Sequence, residues 1–160
     1  MSADSEPILN VVLYCPEIPP NTGNIGRTCV AVGAKLWLVK PLGYELDAKH
    51  LRRAGMDYWQ HLNYEVVENW TELTEKLGQD KQYWYLTKFA KKLVWEATYS
   101  PGDVLVFGSE SSGLPDEIRE ANQDFCLKLP MLEVVRSLNL ASTANTVVYE
   151  AIRQFGVIAE

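Results

Sequence analysis

Three short clusters in this 160-residue chain hold residue types and spacings that could do chemistry. "NTGNIGR" sets Asn21 ahead of Arg27, with Gly23 and Gly26 between them. If a helix begins near Thr22, Arg27 lies less than two turns into it, close to the carboxyl end of the preceding strand. A guanidinium there can clamp a phosphate or stabilise a developing oxyanion through its planar fork of donors. The competing reading is a solvated arginine on a helix face. "RSLNLASTANTVVYEAIRQ" crowds Ser137, Asn139, Ser142, Thr143 and Asn145 into the start of a long helix. One or two of these serve as caps. The remainder exceed what capping requires, so they predict the wall of a binding pocket.

"GSESSGLPDE", from Gly108 to Glu117, follows the apolar run "VLVF". Gly108 and Gly113 have the spacing of a phosphate-cradling loop. Such a loop continues with Lys and then Ser or Thr, whose ammonium reaches the β/γ-phosphates and whose hydroxyl takes magnesium. Leu114 and Pro115 stand in those places here. Asp116 and Glu117 put negative charge in the first turn of the following helix, which suits the helix dipole and repels a phosphate. What such a loop can still offer is backbone N–H and C=O groups close to a ligand, able to read a purine edge or a neutral polar group. A plain strand-to-helix turn with Ser112 near the cap is the alternative.

Other chemistries find little support. Cys15, Cys29 and Cys126 are scattered with no Cys-x-x-Cys pair, which argues against a disulfide framework and against zinc and for small buried hydrophobes. His50 and His61 stand near no obvious nucleophile, so a Ser-His-Asp or Cys-His hydrolase is not expected. The net charge is −6 and the isoelectric point near 5.0. A freestanding nucleic-acid binder is usually basic, so any contact with RNA must come from a local patch. Composition by itself favours a small-molecule or protein partner.

The elements that must position these clusters alternate. Strands are predicted over Ile8–Tyr14, "KLWLVKP", "YEVVE", "QYWYLT", "DVLVFG" and "DFCLKLP". Between them lie a helix from Asn21 to Gly33, one or two helical turns over "DAKHLRRAG", and "NWTELTEKLG" with Asn69 or Thr71 as cap. A helix over "LPDEIREAN" has Pro115 suited to its first turn. A closing helix runs from Leu138 to Phe155, with Val147, Val148, Ala151, Ile152 and Phe155 on one stripe. Strands alternating with helices predict an α/β fold, a mostly parallel sheet flanked by helices. Ligands in such sheets bind beyond the carboxyl ends of the strands, where "GSESSGLP" would sit. No linker divides the chain, so residues 1–160 read as a single domain whose polar residues 1–7 fray. With no signal peptide and no apolar run near the ~20 residues that span a bilayer, the expectation is a soluble, cytoplasmic protein with no membrane contact.

Together "NTGNIGRTC", "VLVFGSESSGLP" and "RSLNLASTANTVVYEAIRQ" resemble the three motifs of the SPOUT superfamily of RNA methyltransferases, in order and at family-like separations. The short length, "LYCPEIPPNTGNIGR" and "LRRAGMDYW" are similar more narrowly to the branch of small tRNA 2'-O-methyltransferases that modify the wobble cytidine or uridine of certain leucine tRNAs. The likeness runs from Val11 to Gly156. It implies a C-terminal deep trefoil knot, which general folding rules would never suggest. It also implies a homodimer, S-adenosylmethionine held in the knot, no metal, and the anticodon stem-loop of tRNA as partner.

By matching position the resemblance assigns Leu86, Gly108, Leu129, Ser137 and Leu138 to the donor pocket. Arg27 carries over as the catalytic residue, with Asn21, Glu110, Ser137 and Asn139 around the reacting centre. A ribose 2'-hydroxyl is a poor nucleophile, so its proton must be taken or its developing alkoxide stabilised. A guanidinium stays charged up to roughly pH 12, which favours stabilisation and phosphate positioning as the role of Arg27. Lys49, His50, Arg52, Arg53, Lys88, Lys91, Lys92 and Arg136 are the candidates for RNA contact, Arg52, Arg53, Lys88 and Arg136 foremost. The chain departs from the family pattern at Ser112, where a basic residue is frequent, and at "LAST" after Asn139. Two other readings are a catalytically silent tRNA-binding relative and a flavodoxin-like small-molecule module. The set Arg27, Glu110 and Asn139 favours the enzyme.

Overall fold

The computed structural model describes residues 5–46 and 57–156. The helical turns expected over "DAKHLRRAG" fall outside the described residues, as do residues 1–4 of the start expected to fray. Strand β1 (Asn10–Tyr14) is rich in β-branched residues and ends at Cys15, whose φ of 51° turns the chain toward Pro16. Helix α1 (Pro19–Val32) begins ahead of the expected Asn21, because Pro19 and Pro20 fit the first helical positions, where a missing N–H costs nothing. Gly33, at φ 79°, closes it in the left-handed conformation and returns its N–H to the Cys29 carbonyl.

Strands β2 (Lys35–Val39) and β3 (Tyr64–Val67) follow, then helix α2 (Trp70–Leu77), which Asn69 caps by accepting the Glu72 N–H at 2.9 Å. After β4 (Tyr83–Leu86) comes β5, only Lys92–Leu93, which the sequence did not announce. Strand β6 (Val104–Phe107) is buried throughout. Helix α3 (Asp116–Ala121) has Pro115 as the residue before its first turn. Strand β7 (Cys126–Lys128) and helix α4 (Leu140–Phe155) complete the order.

The seven strands form one sheet in the order β3-β2-β1-β6-β4-β7-β5, and every pair is parallel. Alternation along β1 divides the core: Val11 and Leu13 join Ile25, Cys29, Val147, Val148 and Ala151 beneath α1 and α4, whereas Val12 joins Leu73, Leu77 and Val106 beneath α2. Both faces are covered, as an all-parallel sheet requires. The stripe expected on α4 is the buried one, with Phe155 at its half-buried end. Cys29 is buried and its thiol pushed up to about 12, and Cys126 is buried too, so both serve as small hydrophobes. Among the described residues no helix is long and apolar enough to cross a membrane.

From β1 the chain builds outward through β2 and β3, then crosses to lay down β4 and β5 on the other side, with β6 set between β1 and β4 and β7 between β4 and β5. The sheet therefore switches direction between β1 and β6, and ligands bind in the crevice beyond the carboxyl ends at such a point.

Candidate active site

Two carboxylates stitch together the loops that leave β1 and β6. Glu110, behind β6, accepts the backbone N–H groups of Glu17 and Ile18, each at 2.9 Å, and the side-chain amide of Asn21 at 3.2 Å. Glu17, behind β1, accepts in return from the N–H of Ser111 at 3.0 Å and from its hydroxyl at 2.6 Å. Those two bonds hold the Glu17 carboxyl below its ordinary value. Asn21 then accepts from the Asn139 amide at 3.1 Å, and Asn139 caps α4 by accepting the Ser142 N–H at 3.1 Å. A chain of hydrogen bonds from Glu110 through Asn21 to Asn139 thus joins the start of α1, the loop behind β6 and the start of α4. Tyr44 pairs its phenol with Thr22 at 2.5 Å nearby. Burial pushes that phenol up to about 12, with the Glu110 charge adding to the effect.

The glycine loop mostly holds itself. Ser109 and Gly113 exchange backbone hydrogen bonds at 2.9 and 3.3 Å. A Cβ on Gly108 would lie 2.2 Å from the Gly113 carbonyl carbon, and Gly113 has a φ of 67°. One glycine therefore permits the close approach and the other the left-handed turn. Ser112 is not the helix cap, since no side-chain bond caps α3; it borders the cleft beside the loop instead.

That cleft encloses about 560 Å³, within the 300–1,000 Å³ of sites for small ligands. All five residues expected around the donor line it: Leu86, Gly108, Leu129, Ser137 and Leu138. Asn21, Glu110 and Asn139 line it as well, and Lys88 and Arg136 supply positive charge. Of the crowded polar residues at the start of α4, Thr143 reaches the cleft with Ser137 and Asn139. Ser142 is exposed away from it, and Asn145 accepts from the Thr28 hydroxyl at 2.6 Å, tying α4 to α1. The pocket wall expected there is therefore made by three of those residues, while Asn145 ties two helices together and Ser142 is exposed.

Arg27 stands apart from the other four residues expected at the reacting centre. It is not among the cleft-lining residues; it sits on the exposed stripe of α1 with Asn24, while Asn21 and Thr28 are buried. Its guanidinium lies 5.0 Å from the centre of the Tyr58 ring, a cation–π distance. The Tyr58 phenol donates to the Gly23 carbonyl of α1. Burial raises that phenol's pKa, and the Arg27 charge works against the rise. Among the RNA-contact candidates, Lys88 and Arg136 border the cleft, and Lys91 and Lys92 are exposed. Lys49, His50, Arg52 and Arg53 lie outside the described residues.

Sequence reasoning missed Glu17, Tyr44 and Tyr58. Glu17 and Tyr58 lie inside "CPEIPP" and "LRRAGMDYW", but nothing in their spacing announces partners so distant along the chain. Among the described residues no group of three or more His, Cys, Asp and Glu side chains could hold a metal ion.

A profile of the SpoU rRNA Methylase family matches residues 8–149. A tRNA (cytidine(34)-2'-O)-methyltransferase of Saccharophagus degradans is 45% identical over 150 residues, 93% of this chain and 97% of the relative. A solved structure described for 2-OH methylation of C/U34 on tRNA superposes with a TM-score of 0.87 at 40% identity, covering 94% of this chain and 98% of that one. The SpoU methyltransferase AviRb of Streptomyces viridochromogenes, in complex with the cofactor AdoMet, superposes with a TM-score of 0.76 at 26% identity, covering 94% of this chain and 59% of that one. On this similarity, and on the three motifs now seen meeting at one cleft, the chain belongs to the SpoU methylase family of SPOUT methyltransferases.

Proposed function

We propose that this chain transfers a methyl group from S-adenosylmethionine to the ribose 2'-hydroxyl of the wobble cytidine or uridine of tRNA, leucine tRNAs foremost. The observation that carries the reading is the hydrogen-bonded chain Glu110–Asn21–Asn139 at the sheet's switch point, on the edge of the cleft lined by the donor residues. The name of the Saccharophagus relative and the subject of the C/U34 structure support the substrate, and the AviRb complex supports the methyl donor.

The residues present fit that donor. Leu86, Leu129 and Leu138 offer apolar contact for an adenine ring, the backbone beside Gly108 offers polar groups, and the acidic start of α3 makes no phosphate site. When bound, the donor would supply a methyl group on a sulfonium; as the ribose oxygen takes the methyl, the C–S bond breaks to leave a neutral thioether and the hydroxyl proton passes to water. Both Glu110 oxygens accept N–H groups, so Glu110 orients Asn21 rather than receiving the ribose proton. Asn21 and Asn139, held in each other's geometry, together with Ser137 present polar groups to the ribose. Arg27, seated over Tyr58 and outside this chain's own cleft, would in the proposed homodimer face the cleft of the partner subunit, where its fork supports the negative charge that grows on the ribose oxygen and holds the adjacent phosphate. No metal enters the reaction.

The whole chain is proposed to act in the cytoplasm as a single-domain, knotted homodimer. The knot is supported by the segments behind β4, β6 and β7, which all border the cleft before α4 packs back against α1 and β6. The dimer is supported by apolar surface that a lone chain leaves in water: Leu132 and Val134 are 80% and 85% exposed. Sedimentation at twice the 18.1 kDa chain mass is expected, and a monomer would contradict it.

The test of the reaction is incubation with labelled S-adenosylmethionine and tRNA from cells lacking this protein, followed by nucleoside analysis. Label is expected in a 2'-O-methylated pyrimidine and lost with Arg27→Ala. Donor binding without transfer to any tRNA would overturn the reading.

A further inference from the structure

The chain leaves β4 through a tight turn, Thr87 to Ala90, at the rim of the cleft. The Ala90 N–H donates to the Thr87 carbonyl at 3.2 Å, the Phe89 N–H meets the Thr87 hydroxyl at 3.3 Å, and Ala90 is buried. The turn is thus pinned from inside, while Lys88 and Phe89, its two central residues, both border the cleft. Phe89 is 63% exposed, an aromatic ring held in water on a fixed backbone. Its surroundings are cationic. The Arg119 guanidinium stacks 4.3 Å from the ring centre and is itself held by Asp116 at 2.7 Å. The Lys88 ammonium lies 5.4 Å from that centre, and Arg136 borders the same cleft.

An exposed ring beside positive charge suits a planar, electron-rich group attached to an anion better than it suits an apolar protein segment. Unpaired nucleotides have that make-up: their bases stack on aromatic and guanidinium planes while the backbone tracks basic side chains. In a chain of net charge −6, a basic group gathered around one ring at the mouth of the cleft is a local exception. We propose that Phe89 is a stacking shelf for an unpaired nucleobase beside the target ribose, with Lys88 and Arg136 meeting the attached phosphates. The shelf rests on the methyl-transfer reading and adds to it a substrate contact outside the three motifs. Because stacking tolerates any base, it would secure the strand without choosing the sequence.

The affinity of an anticodon stem-loop RNA, measured by fluorescence anisotropy for wild type, Phe89→Ala, Phe89→Leu and Phe89→Tyr beside methyl transfer, tests it. Kd should rise about tenfold in the Ala and Leu variants, the size of one lost stacked base, and return in the Tyr variant. Equal Kd for wild type and Phe89→Ala, or a Leu variant that binds as well as Tyr, would overturn the shelf. Wild-type protein that binds the RNA but transfers no methyl would remove the proposed reaction and leave the shelf judged by Kd. Wild-type protein that binds no RNA overturns both.

Discussion

Arg27 depends on shape as much as on charge. Its guanidinium rests on the Tyr58 ring at 5.0 Å, and a lysine ammonium would keep the charge but lose the flat fork that matches phosphate and stacks on aromatics. Turnover of Arg27→Lys should therefore fall by about tenfold or more, ~1.4 kcal/mol of transition-state stabilisation. Near wild-type turnover would remove the positioning role. Glu17 makes a prediction of another kind. Ser111 holds its carboxyl below the ordinary 4.5, so the folded protein is favoured by the ionised group. That contribution is present above the ordinary carboxylate value and disappears as pH falls through the lower folded value. Acidification below about 4.5 should lower the melting temperature of wild type more steeply than that of Glu17→Gln. Parallel curves would show that the latch adds nothing to stability.

At the scale of elements, Asn139 does two jobs that substitutions can separate. Its carbonyl oxygen caps α4, and its amide holds Asn21. Asn139→Ser keeps a capping oxygen and should unfold at nearly the wild-type temperature, whereas Asn139→Ala should lose about 1 kcal/mol of stability. Both lose the amide and should lose turnover together; a fully active Ser variant would sever the Glu110–Asn21–Asn139 chain from catalysis. Thermal melts beside transfer assays make the comparison.

The elements were legible where local chemistry decides them. β6 is a continuous apolar run bounded by turn residues, α4 shows a clear stripe, and Asn69 caps as its type suggests. β5 was not, because two residues on a sheet edge carry no periodicity. The cleft residues were named through motif resemblance, and they do converge. The carboxylate latch was hidden: Ser111 and Glu17 are 94 positions apart, and no local pattern encodes such a pairing. The outer-face placement of Arg27 was legible only as the competing reading, a solvated arginine on a helix face, because the local sequence does not choose between that and a place at the reacting centre.

At the scale of the whole molecule, an acidic chain is asked to hold a polyanion. The sheet supplies the means by bringing the segments behind its neighbouring strands β4 and β7 to one cleft, so that Lys88 and Arg136 both border it although the chain carries a net charge of −6. RNA affinity should accordingly fall steeply with added salt, in proportion to the phosphates contacted; a flat response would count against a basic patch. The central claim is the identity of the modified atom. The most direct measurement is mass spectrometry of nuclease fragments of a leucine tRNA after incubation with S-adenosylmethionine and either wild-type protein or Arg27→Ala. One methyl group on the ribose of the wobble nucleotide, present with wild type and absent with the variant, is the predicted result. A methyl group on a base, at another position, or unchanged in Arg27→Ala would contradict it.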